Sequence, residues 1–587
     1  MSRVRILALL CLAALPAAPS LAVADWVARS NENAQLLLEL QAKYAPEGAG
    51  FLGVEGLDEE ITQLPPDLNE RSIRDTEHAL AALRGRLVGE VDAAVVQDLE
   101  ILIRAGEDSI RGTRITEKYE LPYFNVPQSI FQGVRALLDD QVAAERRPAA
   151  VTRLRKYAGL APGYAPITEQ AMALVRAATS NAELPGPFRD DLEKDLANAP
   201  RFLGGIEQLC GKYGLDGCAE PLAALKTQLA EYEKFVRAEL LPRARADFRL
   251  PEEQYRFNLE QFGIDMPVGE LTSRAKVAFR EIQNEMQVLA RLIAAERGLA
   301  TTDYREVIRE LKRRQIVGEA ILPHYQARIR DLEKIIADEK IVSLPAREMR
   351  IRLASEAESA QIPAPNMRPP RMIGNSGEMG EFVLPLKIPS ADGAGEVGFD
   401  DFSFEAASWT LTAHEGRPGH ELQFASIVEH GVSLARALYA FNSVNVEGWA
   451  LYAEAEAKPY LPLEGQLVAL QHRLLRAARA FLDPGLQLGE IDRETATRVL
   501  EQEVVLSPAM AQQEVERYSF RAPGQAPSYF CGYVRLMELR TDVERRLGTA
   551  FDRRAYHDFV LAQGLVPPAL LRKAVMAEFV APRSGER

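Results

Sequence analysis

Histidine and cysteine are scarce in this sequence. Seven histidines and four cysteines occur in 587 residues. No Cys-x-x-Cys pair is among them, so a structural zinc or thiol redox motif has no basis. No glycine-rich phosphate loop opens a helix and no Gly-x-Ser-x-Gly elbow occurs, which removes P-loop nucleotide binding and nucleophile-elbow hydrolases. Basic charge is also in deficit. The 70 Lys and Arg face 84 Asp and Glu, a formal net charge of −14, which argues against general binding to nucleic acid or to an anionic membrane surface. No repeat of fixed period stands out. Beyond residue 24 no apolar run is long enough to span a bilayer.

Residues 1–24 differ in kind. Arg3 and Arg5 precede an uncharged run that ends in Ala22-Val23-Ala24 before Asp25, the pattern of a cleaved secretion signal. A membrane anchor is the rival reading, but the Pro- and Ala-rich second half suits a cleavage region better. Leu10 before Cys11 is too bulky for a lipobox. The expectation is an exported, periplasmic protein whose mature chain has no stable membrane insertion. Of the remaining cysteines, Cys210 and Cys218 in LCGKYGLDGCAE either close a short disulfide loop or flank a Gly-rich turn unpaired. Cys531 reads as buried rather than reactive.

Elsewhere the pattern is mainly helical. In VGELTSRAKVAFREIQNEMQVLARLIAAERG, Leu271, Ala275, Ala278, Ile282, Met286, Leu289 and Ile293 recur at steps of three or four and form one apolar stripe, with Gly298 as a stop. Similar stripes predict helices in SIRDTEHALAALRGRLVGEV, AAVVQDLEILIRAGEDSIRG and PLAALKTQLAEYEKFVRAELLPRARADF. The interruption lies between Ser355 and Phe404. IPAPNMRPPRMIGNSG and SADGAGEVGFDD read as loops, and EFVLPLKIP between them as a short extended segment, with Pro385 marking an edge strand. An edge strand can align an extended peptide by main-chain hydrogen bonds. We divide the mature chain into a mainly helical region, 25–345, and a second region, 346–587, that carries the candidate site.

That site begins at WTLTAHEGRPGHELQF. His414 and Glu415 start like the zinc motif HExxH, in which the Glu acts as general base, but the second histidine, His420, is six residues on instead of four. On a straight helix six steps rotate by about 240°, so the two imidazoles would point apart. Pro418 cannot donate to the carbonyl of His414, and Gly419 frees the next position. The pair either bulges one helix so that the histidines converge, or separates two helices with unrelated histidines. Glu447, in NSVNVEGWALYAEAEAKPY, follows after room for a helix, a turn and a return, the layout of a His-His-Glu site. Glu454, seven residues later on the same face, either orients a ligand histidine from behind or is a solvated helix carboxylate. Trp449 and Tyr452 read as packing. His78, His324, His430, His472 and His557 have no partner in sequence; His430, before a Gly, reads as a helix C-terminus.

HEGRPGHELQ, EGWALYAE and ERYSFRAPGQAPSY resemble the signatures of the DUF885 family, bacterial and often exported proteins classed as candidate zinc metallopeptidases. The layout is also similar to the helical zinc peptidases of the angiotensin-converting enzyme, neurolysin and thermostable carboxypeptidase type. The resemblance implies a large, two-lobed α-helical fold with a central channel and a short β element near the zinc site. It implies Zn2+ held by His414, His420 and Glu447, with Glu415 as base and Tyr529 as oxyanion donor. Arg517 and Tyr518 are candidate substrate-binding residues; Gln525 and Arg540 are weaker ones. The family commonly has a histidine after Pro-Gly-His, where this chain has Glu421. We read His420 as the ligand and Glu421 as facing outward or orienting a neighbour.

The expected function is hydrolysis of short peptides by zinc-activated water. Two rivals stay open: a zinc amidase acting on another amide, and a peptide-binding protein of the same fold without activity.

Overall fold

The computed structural model describes residues 25–179, 181, 183–389 and 396–584. The expected signal segment, 1–24, lies outside them. The fold is mainly α-helical, with three small sheets among the described residues.

The stripe that begins at Leu271 folds into a helix, α1 (Val268–Arg297), which ends at left-handed Gly298. Leu271, Ala275, Ile282, Met286 and Ile293 are buried, and Ala278 and Leu289 pack against the same core. The predicted N-terminal helices form as Leu68–Gly89 and Ala93–Tyr119. The one predicted over 221–248 is shorter. It runs from Ala219 to Phe235, loosens into a π-helical turn, and gives way after Pro242 to a strand, Ala244–Arg245, paired with Gly186–Phe188. Cys210 and Cys218 are disulfide-bonded. Cys531 is buried, and burial pushes its thiol up to about 12, out of the reactive range.

Between Arg350 and Leu384 three strands, β1 (Arg350–Leu353), β2 (Asn366–Arg368) and β3 (Glu381–Leu384), form a sheet in the order β1-β3-β2. EFVL is therefore the central strand, not an edge. Pro385 falls just past it, where its missing N–H breaks no ladder bond. The predicted loop IPAPNMRPPRMIGNSG supplies β2, and part of the loop after EFVLPLKIP, Glu396–Gly398, pairs with Lys387–Pro389. Alternation makes the sheet two-faced. Ile351, Phe382 and Leu384 enter a core with Tyr325 and Leu411, whereas Arg352, Val383 and Arg368 line the other side.

Five further helices build the region of the candidate site: α2 (Glu405–Glu415), α3 (His420–His430), α4 (Ser443–Ala457), α5 (Leu463–Gln487) and α6 (Ser528–Leu547). One core joins α1 and α5 with residues of α2, α4 and α6. Helices α4 and α6 cross at Gly448 and Gly532, where a Cβ on Gly448 would lie 2.6 Å from the Gly532 Cα. Only glycine permits that approach, and it sets the N-terminal end of α6, with Tyr529, beside Glu447.

Candidate metal centre

His414 and His420 do not share a bulged helix. Helix α2 stops at Glu415, residues 416–419 turn, and α3 starts at His420. The two helices nonetheless bring the imidazoles together, with ring centroids 4.7 Å apart. The turn is tight because Gly419 lies against the end of α2. A Cβ there would sit 2.0 Å from the His414 carbonyl oxygen, so no larger residue fits. The Trp449 indole N–H donates to the Pro418 carbonyl (3.1 Å) and pins the turn to α4. Arg417 is buried and donates to Glu421 (2.7 Å), Glu333 (2.7 Å) and the Arg347 carbonyl (2.6 Å). Glu421 does not face outward. It is fully buried, and it orients Arg417 and so anchors the turn.

Three ligand-type atoms converge. Oε2 of Glu447 lies 3.2 Å from Nε2 of His420 and 3.5 Å from Nε2 of His414. His414, His420 and Glu447 offer one such atom each, all within 4.8 Å of one another, and no other trio of His, Cys, Asp or Glu does so among the described residues. The opposite nitrogen of His414, Nδ1, lies 2.7 Å from Glu454 Oε1, and Thr410 donates to the same carboxylate. Glu454 is therefore not a solvated helix carboxylate; it fixes the tautomer that turns Nε2 of His414 toward Glu447. His420 Nδ1 has no hydrogen-bond partner among the described residues.

The charges are arranged around this point. Burial alone would push the Glu454 carboxyl up, but the Arg476 charge and the His414 hydrogen bond hold it down to about 2. Glu447 follows the same logic: burial opposes ionisation, and His414 and His420 outweigh it, leaving the carboxyl well below its usual range. Glu415 is the exception. It is 7 % exposed and makes no hydrogen bond or ion pair with a described residue. Burial, reinforced by the Glu447 and Glu454 charges and opposed by His420 and Arg476, pushes it up to about 7. A carboxylate so poised is suited to taking and returning a proton near neutrality.

Tyr529 stacks over His414 with centroids 6.2 Å apart and planes 11° apart. Arg517 donates to its hydroxyl (2.8 Å) and to Gln525, and keeps 24 % of its side chain exposed. Gln525 reaches Ser443 Oγ (2.9 Å) and Glu447 Oε1 (3.5 Å). Tyr518 is not a substrate-facing residue. It is fully buried and its hydroxyl donates to Glu514 (2.6 Å), because the π-helical turn Arg517–Arg521 directs it into the core. Arg540 pairs with Tyr452, Glu456 and Glu544 instead of entering the site. His324 meets Ser408, and His557 bonds Tyr452 and the Ile341 carbonyl. His430 ends α3, before left-handed Gly431.

Helix α5 supplies residues that the sequence did not single out. His472, Arg476, Arg479 and Asp483 are all buried along it. Arg479 makes a two-pronged pair with Glu514 (2.7 and 2.6 Å) and lies 4.4 Å from the Tyr529 ring centroid. Asp483 accepts from the Gly524 N–H and the Tyr255 hydroxyl, holding the turn that carries Gln525.

The DUF885 model, described as a bacterial protein of unknown function, matches residues 46–575. The chain belongs to the DUF885 family. Two solved structures share its fold. A candidate lipoprotein from Colwellia psychrerythraea superposes with a TM-score of 0.73 at 18 % identity, covering 93 % of this chain and 98 % of that one. A candidate lipoprotein of unknown function from Shewanella oneidensis gives 0.67 at 18 % identity, covering 94 % of this DUF885 chain and all of its own. No curated protein matches it.

Proposed function

We propose that this DUF885 protein is a zinc-dependent peptidase acting on short peptides. One observation carries the reading. Nε2 of His414 and Nε2 of His420 lie 3.5 and 3.2 Å from Oε2 of Glu447, close to the roughly 3.3 Å edge of a tetrahedron with zinc–ligand bonds of about 2.0–2.1 Å. The donor set, two imidazoles and a carboxylate, is that of catalytic zinc, and Glu454 supplies the outer support expected of it. Zinc bound there would acidify a water and polarise a carbonyl. Glu415, unpaired among the described residues, accepts the water's proton and returns it to the leaving amine. The Tyr529 hydroxyl, fixed by Arg517, donates to the developing oxyanion. Arg517 retains enough exposure to meet a substrate carboxylate.

Glu421 does not weaken this reading, since it is tied to Arg417 behind the turn. We further propose export to the periplasm, on the Ala-Val-Ala segment and the candidate lipoproteins that share the fold; no described helix is long and apolar enough to cross a membrane.

The test is digestion of a defined peptide library by zinc-loaded wild type and Glu415→Gln. Wild type should cleave, and the variant should keep its zinc while losing about 10²–10⁴-fold in kcat. A zinc-loaded wild type that leaves every peptide intact would refute peptidase activity.

A further inference from the structure

We propose that Arg479 is a positioning residue: its guanidinium, clamped by Glu514, fixes the ring of Tyr529 so that the hydroxyl meets the oxyanion. The role of Tyr529 belongs to the peptidase reading, on which this inference rests. Three guanidiniums lie over the Tyr529 ring within the range of a cation–π contact, roughly 6 Å. Arg479 is the nearest, 4.4 Å from the ring centroid, against 5.2 Å for Arg517 and 5.7 Å for Arg476.

Among the described residues the Tyr529 hydroxyl has one hydrogen-bond partner, Arg517 (2.8 Å). That bond fixes a distance but not the plane of the ring, since a phenol can turn about its side-chain torsions with the oxygen still bonded. Arg517 is also a loose anchor: its side chain keeps 24 % exposure, and the same Nη2 serves Gln525. Arg479 is a rigid one. It is buried, and its Nε and Nη2 donate to the two carboxylate oxygens of Glu514 (2.7 and 2.6 Å). A two-pronged pair of this kind is planar and holds one orientation. Glu514, on the helix Pro508–Glu516, is buried as well and accepts from the Tyr518 hydroxyl (2.6 Å). Three segments therefore fix the guanidinium plate: α5, the helix Pro508–Glu516 and the turn Arg517–Arg521. Tyr518, buried away from substrate, is the third tether of that plate.

The plate supplies position rather than charge. Glu514 cancels the Arg479 charge at hydrogen-bond distance, so the pair presents little net charge to the phenol. The His414 ring lies within 11° of parallel to Tyr529 and is itself fixed by Glu454 (2.7 Å). Arg476, one turn before Arg479 on α5, lies 3.6 Å from the same Glu454 oxygen. One helix thus sets both the imidazole and the phenol that face the reacting carbonyl. A hydroxyl displaced by about 1 Å loses much of its contact with an oxyanion, and shifts of that size cost up to about 100-fold in rate. Lysine cannot replace the plate, because an ammonium has neither the fork nor the flat face.

The experiment is a double-mutant cycle on the zinc-loaded full chain: wild type, Arg479→Lys, Tyr529→Phe and both together, with kcat and KM measured on one peptide that wild type cleaves. Arg479→Lys keeps an ion pair with Glu514 and so the charge balance of the core; Arg479→Met combined with Glu514→Gln is the neutral second variant. The expected result in both is wild-type zinc content and KM with kcat lower by about 10–100-fold. Adding Arg479→Lys to Tyr529→Phe should change kcat by less than about twofold, because the hydroxyl it positions is gone. In metal-free protein labelled with 3-fluorotyrosine, the fluorine signal that Tyr529→Phe lacks should shift or broaden in Arg479→Lys while the other signals hold. A kcat within about twofold of wild type in Arg479→Lys, or a loss that persists in full in the Tyr529→Phe background, would overturn the assignment. So would a loss of zinc alongside kcat, or an unmoved Tyr529 signal. A zinc-loaded wild type that cleaves no peptide removes the peptidase reading instead, and the fluorine signal then still decides whether Arg479 holds the ring.

Discussion

Glu454 Oε1 lies 2.7 Å from Nδ1 of His414, across the gap between α4 and α2. That contact fixes which nitrogen of His414 faces Glu447. Replacing Glu454 with Ala should weaken zinc binding about 10–100-fold, and Glu454→Gln, which keeps a polar partner but not the charge, should weaken it less. Competition with a chromophoric chelator measures both. Equal zinc affinity in wild type and Glu454→Ala would remove the supporting role assigned to this residue.

Gly419→Ala tests the turn. The added methyl would sit 2.0 Å from the His414 carbonyl oxygen, so the chain must shift where His420 begins α3. Overpacking of this kind costs about 1–3 kcal/mol. We expect a lower Tm and a loss of zinc affinity together. A variant that melts like wild type and binds zinc equally would show that the turn tolerates a side chain.

Tyr529 and Tyr518 should separate cleanly. Tyr529→Phe removes the proposed oxyanion donor and should cost about 10²–10³-fold in kcat with zinc content unchanged. Tyr518→Phe removes one donor from Glu514, which keeps both bonds to Arg479. Its expected effect is a stability loss of about 1 kcal/mol with kcat within a few-fold of wild type. Steady-state kinetics and urea unfolding of the two variants settle the assignment, and comparable losses of kcat in both would reverse it.

His557 predicts a pH dependence of stability. Burial, aided by the charges of Arg540 and Arg553 and opposed by its bond to the Ile341 carbonyl, pushes its pKa down to about 3. The unfolded chain takes up that proton near pH 6.5 while the folded chain does not, so its contribution is complete above 6.5 and is lost as pH falls toward 3. Unfolding of the metal-free protein from pH 6.5 to 4.5 should therefore show a stability slope steeper by up to about 1.4 kcal/mol per pH unit in wild type than in His557→Gln. Parallel slopes would show that His557 is protonated in the folded state.

The sequence carried the parts of the fold and site that depend on local pattern. The α1 stripe and its Gly298 stop are periodic and so legible. The His414–Glu415, His420 and Glu447 spacing was readable because Pro418 and Gly419 announce a break, although not that α2 and α3 would be separate helices. What escaped depends on tertiary contacts. His472, Arg476, Arg479 and Asp483 recur on α5 at steps of three and four, which in a sequence looks like a solvated face; here that face is buried against Glu454, Glu514 and the Gly524 turn. Tyr518 and Tyr529 look alike in ERYSFRAPGQAPSY, and only the π-helical turn and the start of α6 send one inward and the other to His414. Pro385 suggests an edge when EFVLPLKIP is one strand, but the strand ends at Leu384 and its missing N–H falls outside the ladder.

The most direct measurement is zinc content after equilibrium dialysis of the full chain, by atomic emission, for wild type and Glu447→Ala. One zinc per chain in wild type, with Glu447→Ala retaining the fold by circular dichroism but binding at least tenfold more weakly, is the predicted result. A wild-type protein that stays metal-free under zinc excess, or a Glu447→Ala variant that keeps full occupancy at wild-type affinity, would contradict the assignment of His414, His420 and Glu447 as the metal ligands.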